Sequence, residues 1–174
     1  MRLPSDYPRF LRELKARIQA ARVKAVFSVN REMLALYWDL GRQVIERQNR
    51  GRWGTAVIER LSDDLRREFP KLTGLSARNI WRMRAFYRAW PGLGSILAQP
   101  ARESDRLILS QPVTELPWGH NIDLIEKVRT PEDRLWYARQ AFEFGWSRNV
   151  LALHIADNLH RRQGKALTNF KRTL

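Results

Sequence analysis

Apolar residues recur at steps of three and four along most of this chain, the period of helices with one buried face. Residues 5–22 put Phe10, Leu14, Ile18 and Ala21 on one stripe behind Ser5, a candidate cap. A second, longer helix is predicted from about Lys24 to Gln48. There Val26, Val29, Met33, Leu36, Leu40 and Val44 recur, and Tyr37 and Ile45 widen the face. Asn49, Arg50, Gly51, Arg52 and Gly54 read as a turn. A third helix, capped by Thr55, runs to about Glu68 and turns Val57, Ile58, Leu61 and Leu65 inward. Pro70 and Gly74 bracket a tight connection, after which Ser76 caps a fourth helix that Pro91 stops at Trp90.

From Gly92 to Gly119 the periodicity weakens. Pro100, Pro112 and Pro117, with Gly92 and Gly94, mark a loop, and Arg106–Ser110 and Val113–Leu116 read as short extended pieces. A small β element is therefore expected between residues 100 and 118. Helices resume at about His120–Val128. The next has Thr130 as N-cap, Pro131 in its first turn and Asp133 reaching back, and ends at Gly145. Ser147 caps the last, which carries Val150, Leu151, His154, Ile155 and Leu159. The expected fold is all-α, a compact bundle of about seven helices. It forms one domain over residues 1–174, with sub-halves 1–91 and 116–163 and a basic tail over 161–174.

One stretch echoes another. Gly74-Leu75-Ser76-Ala77-Arg78-Asn79-Ile80 is matched by Gly145-Trp146-Ser147-Arg148-Asn149-Val150, with one residue deleted. Each offers a helix-ending Gly, an apolar residue, a Ser cap and Arg-Asn on a new first turn, the punctuation of a helix-turn-helix corner.

Charge changes the picture from a fold to a function. The 32 Lys and Arg against 18 Asp and Glu leave +14. Such an excess repels itself unless a polyanion takes it up. It is uneven: residues 41–90 hold 12 basic and 5 acidic residues, whereas residues 91–160 are slightly acidic. The 7 Trp, 7 Phe and 4 Tyr supply ample surface for a core, so disorder is not expected. Cys is absent, which excludes disulfides and thiol catalysis. No run of 18 apolar residues and no leader pattern occurs, so a cytoplasmic protein without membrane contact is expected.

The helix pair over residues 55–90 is the candidate DNA reader. In a helix-turn-helix, the start of the second helix reaches base edges, and its N-terminus attracts phosphate. If Ile80, Met83, Tyr87 and Trp90 face the core, Arg78, Asn79 and Arg82 point outward near that N-terminus. Arg84 and Arg88, four apart, would hold backbone phosphates, as would Arg161, Arg162 and Lys165 in the tail. A solvated basic helix face would show the same spacing; the local excess of charge favours DNA.

No catalytic constellation is visible. His120, His154 and His160 lack metal-pair spacing, and Asp63 and Asp64 read as solvent-facing. The nearest Glu-x-Lys, Glu13-Leu14-Lys15, lies in a helix rather than on the strand pair a Mg²⁺ nuclease uses. No metal, no cofactor and no enzymatic activity are expected.

A series of ordered motifs resembles the N-terminal domain of bacterial YhcG-type nucleases of the PD-(D/E)XK superfamily. They begin with Asn30-Arg31-Glu32-Met33, Leu36-Tyr37-Trp38-Asp39-Leu40-Gly41, Trp53-Gly54 and Val57-Ile58-Glu59-Arg60-Leu61-Ser62. Asp64-Leu65, Phe69-Pro70, Gly74 to Ile80 and Met83-Arg84-Ala85-Phe86-Tyr87 follow. Leu116 to Asn121, Trp136-Tyr137-Ala138, Gly145-Trp146-Ser147-Arg148 and Thr168-Asn169-Phe170 complete the series. The resemblance implies a helical DNA-binding or targeting module ahead of a nuclease domain that carries the metal-binding carboxylates. That domain is expected beyond Leu174, outside this chain. Expected partners are duplex or branched DNA and a nuclease domain, in the same gene or as a separate subunit. The alternative is a protein-interaction module, forming a homodimer or docking the nuclease, with the helix over 24–48 as its interface.

Overall fold

The computed structural model describes residues 4–51, 53–94 and 111–162. Among them are seven helices: α1 (Tyr7–Asn49), α2 (Thr55–Glu68), α3 (Ala77–Ala89), α4 (Gln111–Glu115), α5 (Trp118–Lys127), α6 (Pro131–Glu143) and α7 (Arg148–Ala156). A helical turn over residues 159–162 follows. The fold is all-α, and no strand occurs among the described residues. Val113–Glu115, expected to be extended, is helical, while Arg106–Ser110 lies outside the described residues.

The two helices expected over 5–22 and 24–48 are one. α1 runs unbroken for 43 residues, about 65 Å at the α-helical rise. Ala20-Ala21-Arg22-Val23-Lys24-Ala25 holds neither Gly nor Pro, so nothing interrupts the hydrogen-bond ladder there. What changes near Val29 is the apolar face. Leu34, Tyr37, Gly41 and Val44 are buried and turned toward the bundle. Residues 4–29, by contrast, are exposed apart from the half-buried Leu11 and Leu14. The first half of α1 is an arm, and the second half is a core helix.

α3 packs along that second half. Gly41 makes the close approach possible: a Cβ there would be driven into the Met83 carbonyl oxygen. Around this crossing Tyr37, Val44, Ile58, Ile80 and Met83 form one buried cluster. A larger cluster joins Leu34 and Phe86 to Val113, Leu124, Tyr137 and Leu151 from α4 to α7. Trp118 touches both clusters and packs edge-on against Tyr37 and Phe86, with ring centroids 4.9 and 5.2 Å apart.

Buried polar side chains tie the connections to this core. The Asn30 amide donates to the carbonyls of Thr114 and Leu116 at 3.2 and 3.1 Å. The Asn121 amide donates to Val113 and Leu116, both at 3.1 Å, so the end of α4 is clasped from two helices. Ser76, Thr130 and Ser147 each accept a backbone N–H from three residues on, as their sequence positions predict. Gly74 and Gly145 both take the left-handed conformation, at φ +92° and +60°. The echo between these corners goes further. Ser62 Oγ donates to the Leu75 carbonyl at 2.8 Å, and His120 Nε2 bonds the Trp146 carbonyl at the same distance. Each corner is thus pinned through its apolar residue by a buried side chain on another helix.

Candidate nucleic-acid interface

α3 is covered on one side by α1 and on another by α5, which decides what its polar residues can do. Arg78 and Arg88 are exposed and have no carboxylate partner among the described residues. Arg84 is half-buried. Its Nε donates to Gln48 Oε1 on α1 at 2.7 Å, and its guanidinium lies 5.3 Å from the centroid of Trp81. Burial, and then repulsion from Arg88, push its pKa below the ordinary guanidinium value. A guanidinium starts so far above neutrality that Arg84 stays a cation. Arg78, Trp81 and Arg88 recur at near-helical steps and share a face with Arg84.

Two predicted contacts belong elsewhere. Asn79 does not point outward: it is 7% exposed, donates to the Gly74 carbonyl at 2.6 Å and accepts from Trp118 Nε1 at 2.9 Å. Both ends of its amide are occupied by the fold, so it has nothing to offer a base. Arg82 turns toward α5, where its Nε meets Glu126 Oε1 at 2.7 Å. Of the three residues expected outward at the start of α3, only Arg78 is. The connection from α2 covers residues 69–76, longer than the turn of about three or four residues in a standard helix-turn-helix.

The α3 face is extended by the end of α1, which sequence reasoning missed. Arg47 lies 5.4 Å from the centroid of Trp53, while Gln48 bonds both Arg84 and the Trp53 carbonyl. The signal was available in Arg47-Gln48-Asn49-Arg50 before Gly51, whose φ of +98° turns the chain back. Gln48 thus joins Arg84 on Trp81 to Trp53, which Arg47 covers. Arg161 and Arg162 are also exposed but stand on the turn after α7, beside His160. Lys165 lies outside the described residues.

Many other arginines are spent within the fold. Arg42 lies between Asp39 and Glu46, Arg60 and Arg67 flank Asp64, and Arg148 grips Asp123. The three histidines are likewise built in. His120 bonds the Trp146 carbonyl, the His154 ring packs at a tilt against the Trp146 ring, and His160 bonds the Tyr137 hydroxyl at 2.9 Å. No group of His, Cys, Asp or Glu able to hold a metal occurs among the described residues. No helix among them is long and apolar enough to cross a membrane.

These features describe an arginine-rich, all-α domain on which Arg78 and Arg88 stand exposed beside Arg84 and Trp81. The chain belongs to the DUF1016 N-terminal domain family, whose pattern it matches over residues 13–162. It is 28% identical over 165 residues to the protein of Escherichia coli strain K12 named "Putative nuclease YhcG". The alignment takes in 83% of this chain and 43% of that relative, so the chain spans less than half of the relative's length. No solved structure matches the chain.

Proposed function

We propose that this domain binds DNA and targets a nuclease to it. The observation that carries the reading is the strip formed by Arg78, Trp81, Arg84 and Arg88 on α3 with Arg47 and Gln48 on α1. Exposed guanidiniums supply phosphate contacts, and the indoles supply apolar faces that lie against sugars or unstacked bases. The likeness to a relative named as a nuclease supports the targeting role, with catalysis assigned to parts of such proteins outside this chain. The strip fits a backbone-tracking surface better than a helix-turn-helix reading head, because Asn79 and Arg82 are engaged internally. Arg161, Arg162 and Lys165 would add a second, separate phosphate contact.

The test is fluorescence anisotropy on duplex, four-way-junction and single-stranded probes. Replacing Arg78 and Arg88 together by Ala should weaken binding at least tenfold. Replacing Arg60 and Arg67, which Asp64 already holds, should change it less than threefold. Equal losses from both pairs would reduce the interaction to diffuse charge and remove α3 from the interface. The protein-interaction alternative placed its interface on residues 24–48. Leu34, Tyr37, Gly41 and Val44 of that segment pack into the bundle, whereas Val26, Phe27 and Val29 at its start are exposed, so a free apolar surface remains within it.

A further inference from the structure

The arm over Tyr7–Val29 extends about 34 Å from the point where Asn30 joins α4. A subset of its residues follows an alternation of four- and three-residue steps that is apolar as far as Ala25, while Phe10, Val23, Val26, Phe27 and Val29 lie off it. Leu11, Ile18 and Ala25 occupy one repeating position, and Tyr7, Leu14, Ala21 and Ser28 the other. Such a seven-residue repeat is the seam of a two-stranded coiled coil. The seam is not a continuation of the core face of α1. Carried backward, the spacing of Leu34, Tyr37, Gly41 and Val44 passes through Asn30, Phe27 and Val23, about 140° round the helix from the arm's seam. The bundle therefore cannot cover both. Ile18 is 57% exposed, and no residue of the arm is buried.

The positions flanking the seam decide what does cover it. Lys15 and Arg22 border one edge, and Arg17 and Lys24 the other, each pair seven residues apart. The arm's acidic residue, Glu13, lies off both edges and pairs with Arg9 at 3.7 Å. In a two-stranded coiled coil these flanks meet the partner's flanks, whether the strands run parallel or antiparallel. Two copies of the arm would then set cation against cation on both edges, which opposes self-pairing. We infer that the arm is a docking rod for a partner helix with an apolar seam flanked by Glu or Asp. This goes beyond the nucleic-acid reading and does not depend on it, since it uses a different element.

The test uses the full chain and two synthetic helical peptides of about four heptads, both with Leu at the seam. One carries Glu at the flanking positions, the other Lys. The Glu peptide should bind saturably at one per chain, at least tenfold tighter than the Lys peptide, and more weakly as salt rises. Leu14→Glu with Ile18→Glu should abolish binding, while circular dichroism shows the bundle intact. Exchanging Lys15, Arg17, Arg22 and Lys24 for Glu should invert the preference toward the Lys peptide, which diffuse attraction to the rest of this basic chain would not do. Equal binding of both peptides, or of neither, overturns the inference. So does a dimer in sedimentation equilibrium that the Leu14→Glu/Ile18→Glu variant dissolves, since the occupant is then a second copy. A loss of duplex affinity from the four flank changes, with neither peptide bound, would make the arm a DNA contact instead. None of these results bears on Arg78 and Arg88, so the two proposals fail separately.

Discussion

Asn79 separates a structural residue from a DNA-reading one. Its amide joins the Gly74 carbonyl to the Trp118 indole, and with it the α2–α3 corner to the start of α5. Asn79→Ala removes both hydrogen bonds and leaves an indole N–H and a carbonyl without their partner. Stranding a buried polar group costs about 1–3 kcal/mol. Gly74 is only half-buried and can recover water, so the sum is about 2–4 kcal/mol rather than the maximum. For a domain of this size, about 3 kcal/mol corresponds to roughly 6–12 °C in Tm. Thermal unfolding followed by circular dichroism measures the shift, and anisotropy at low temperature measures duplex affinity per folded molecule. The expected result is a large fall in Tm with affinity within about twofold of the parent. An unchanged Tm with a tenfold loss of affinity would refute the inward placement of Asn79 and restore it as a base contact.

Three further outcomes follow from the packing. Gly41→Ala forces a methyl group into the Met83 backbone and should destabilise the α1–α3 crossing by about 1–3 kcal/mol, read as a lower urea midpoint. Ser76→Ala should cost about 1 kcal/mol through loss of the α3 cap, with no change in the urea m-value. Asp123 concerns pH. Burial works to raise its pKa, but hydrogen bonds from Arg148 and Lys127 outweigh that and hold it below the ordinary carboxylate value. Its contribution is therefore fully present above about pH 4, the unfolded value, and fades as pH falls through the lower folded one. Asp123→Asn should lower stability at pH 7 and flatten the acid limb of a stability–pH curve; an unchanged acid limb would contradict the ion pair.

The legible parts of this fold were the local ones. Ser76, Thr130 and Ser147 act within three residues of themselves, and Gly74 and Gly145 answer to their own φ, so their roles can be read from neighbours in sequence. Asn79 could not be placed that way, because its orientation is fixed by Trp118, which lies 39 residues away. Arg82 was misdirected for the same reason, its partner Glu126 being 44 residues distant. The division of α1 into two helices mistook a change of face for a break. The apolar stripe moves round the helix near Val29, which resembles an end in a periodicity count although the backbone continues. Charge was legible as a total and by segment. Which guanidiniums are free was legible only in part: Arg42, Arg60 and Arg67 pair with Asp39, Glu46 and Asp64 within three or four residues, whereas Arg82 and Arg148 meet Glu126 and Asp123 across 44 and 25 residues.

The most direct measurement of the nucleic-acid claim is the slope of log affinity against log salt for a duplex probe, comparing the parent with Arg78→Ala/Arg88→Ala. Each phosphate neutralised contributes about −0.9 to that slope. If both guanidiniums sit on phosphates, the variant's slope should be shallower by about 1.8, with weaker binding at every salt concentration. Identical slopes and affinities for the two proteins would contradict the assignment of the α3 strip to DNA.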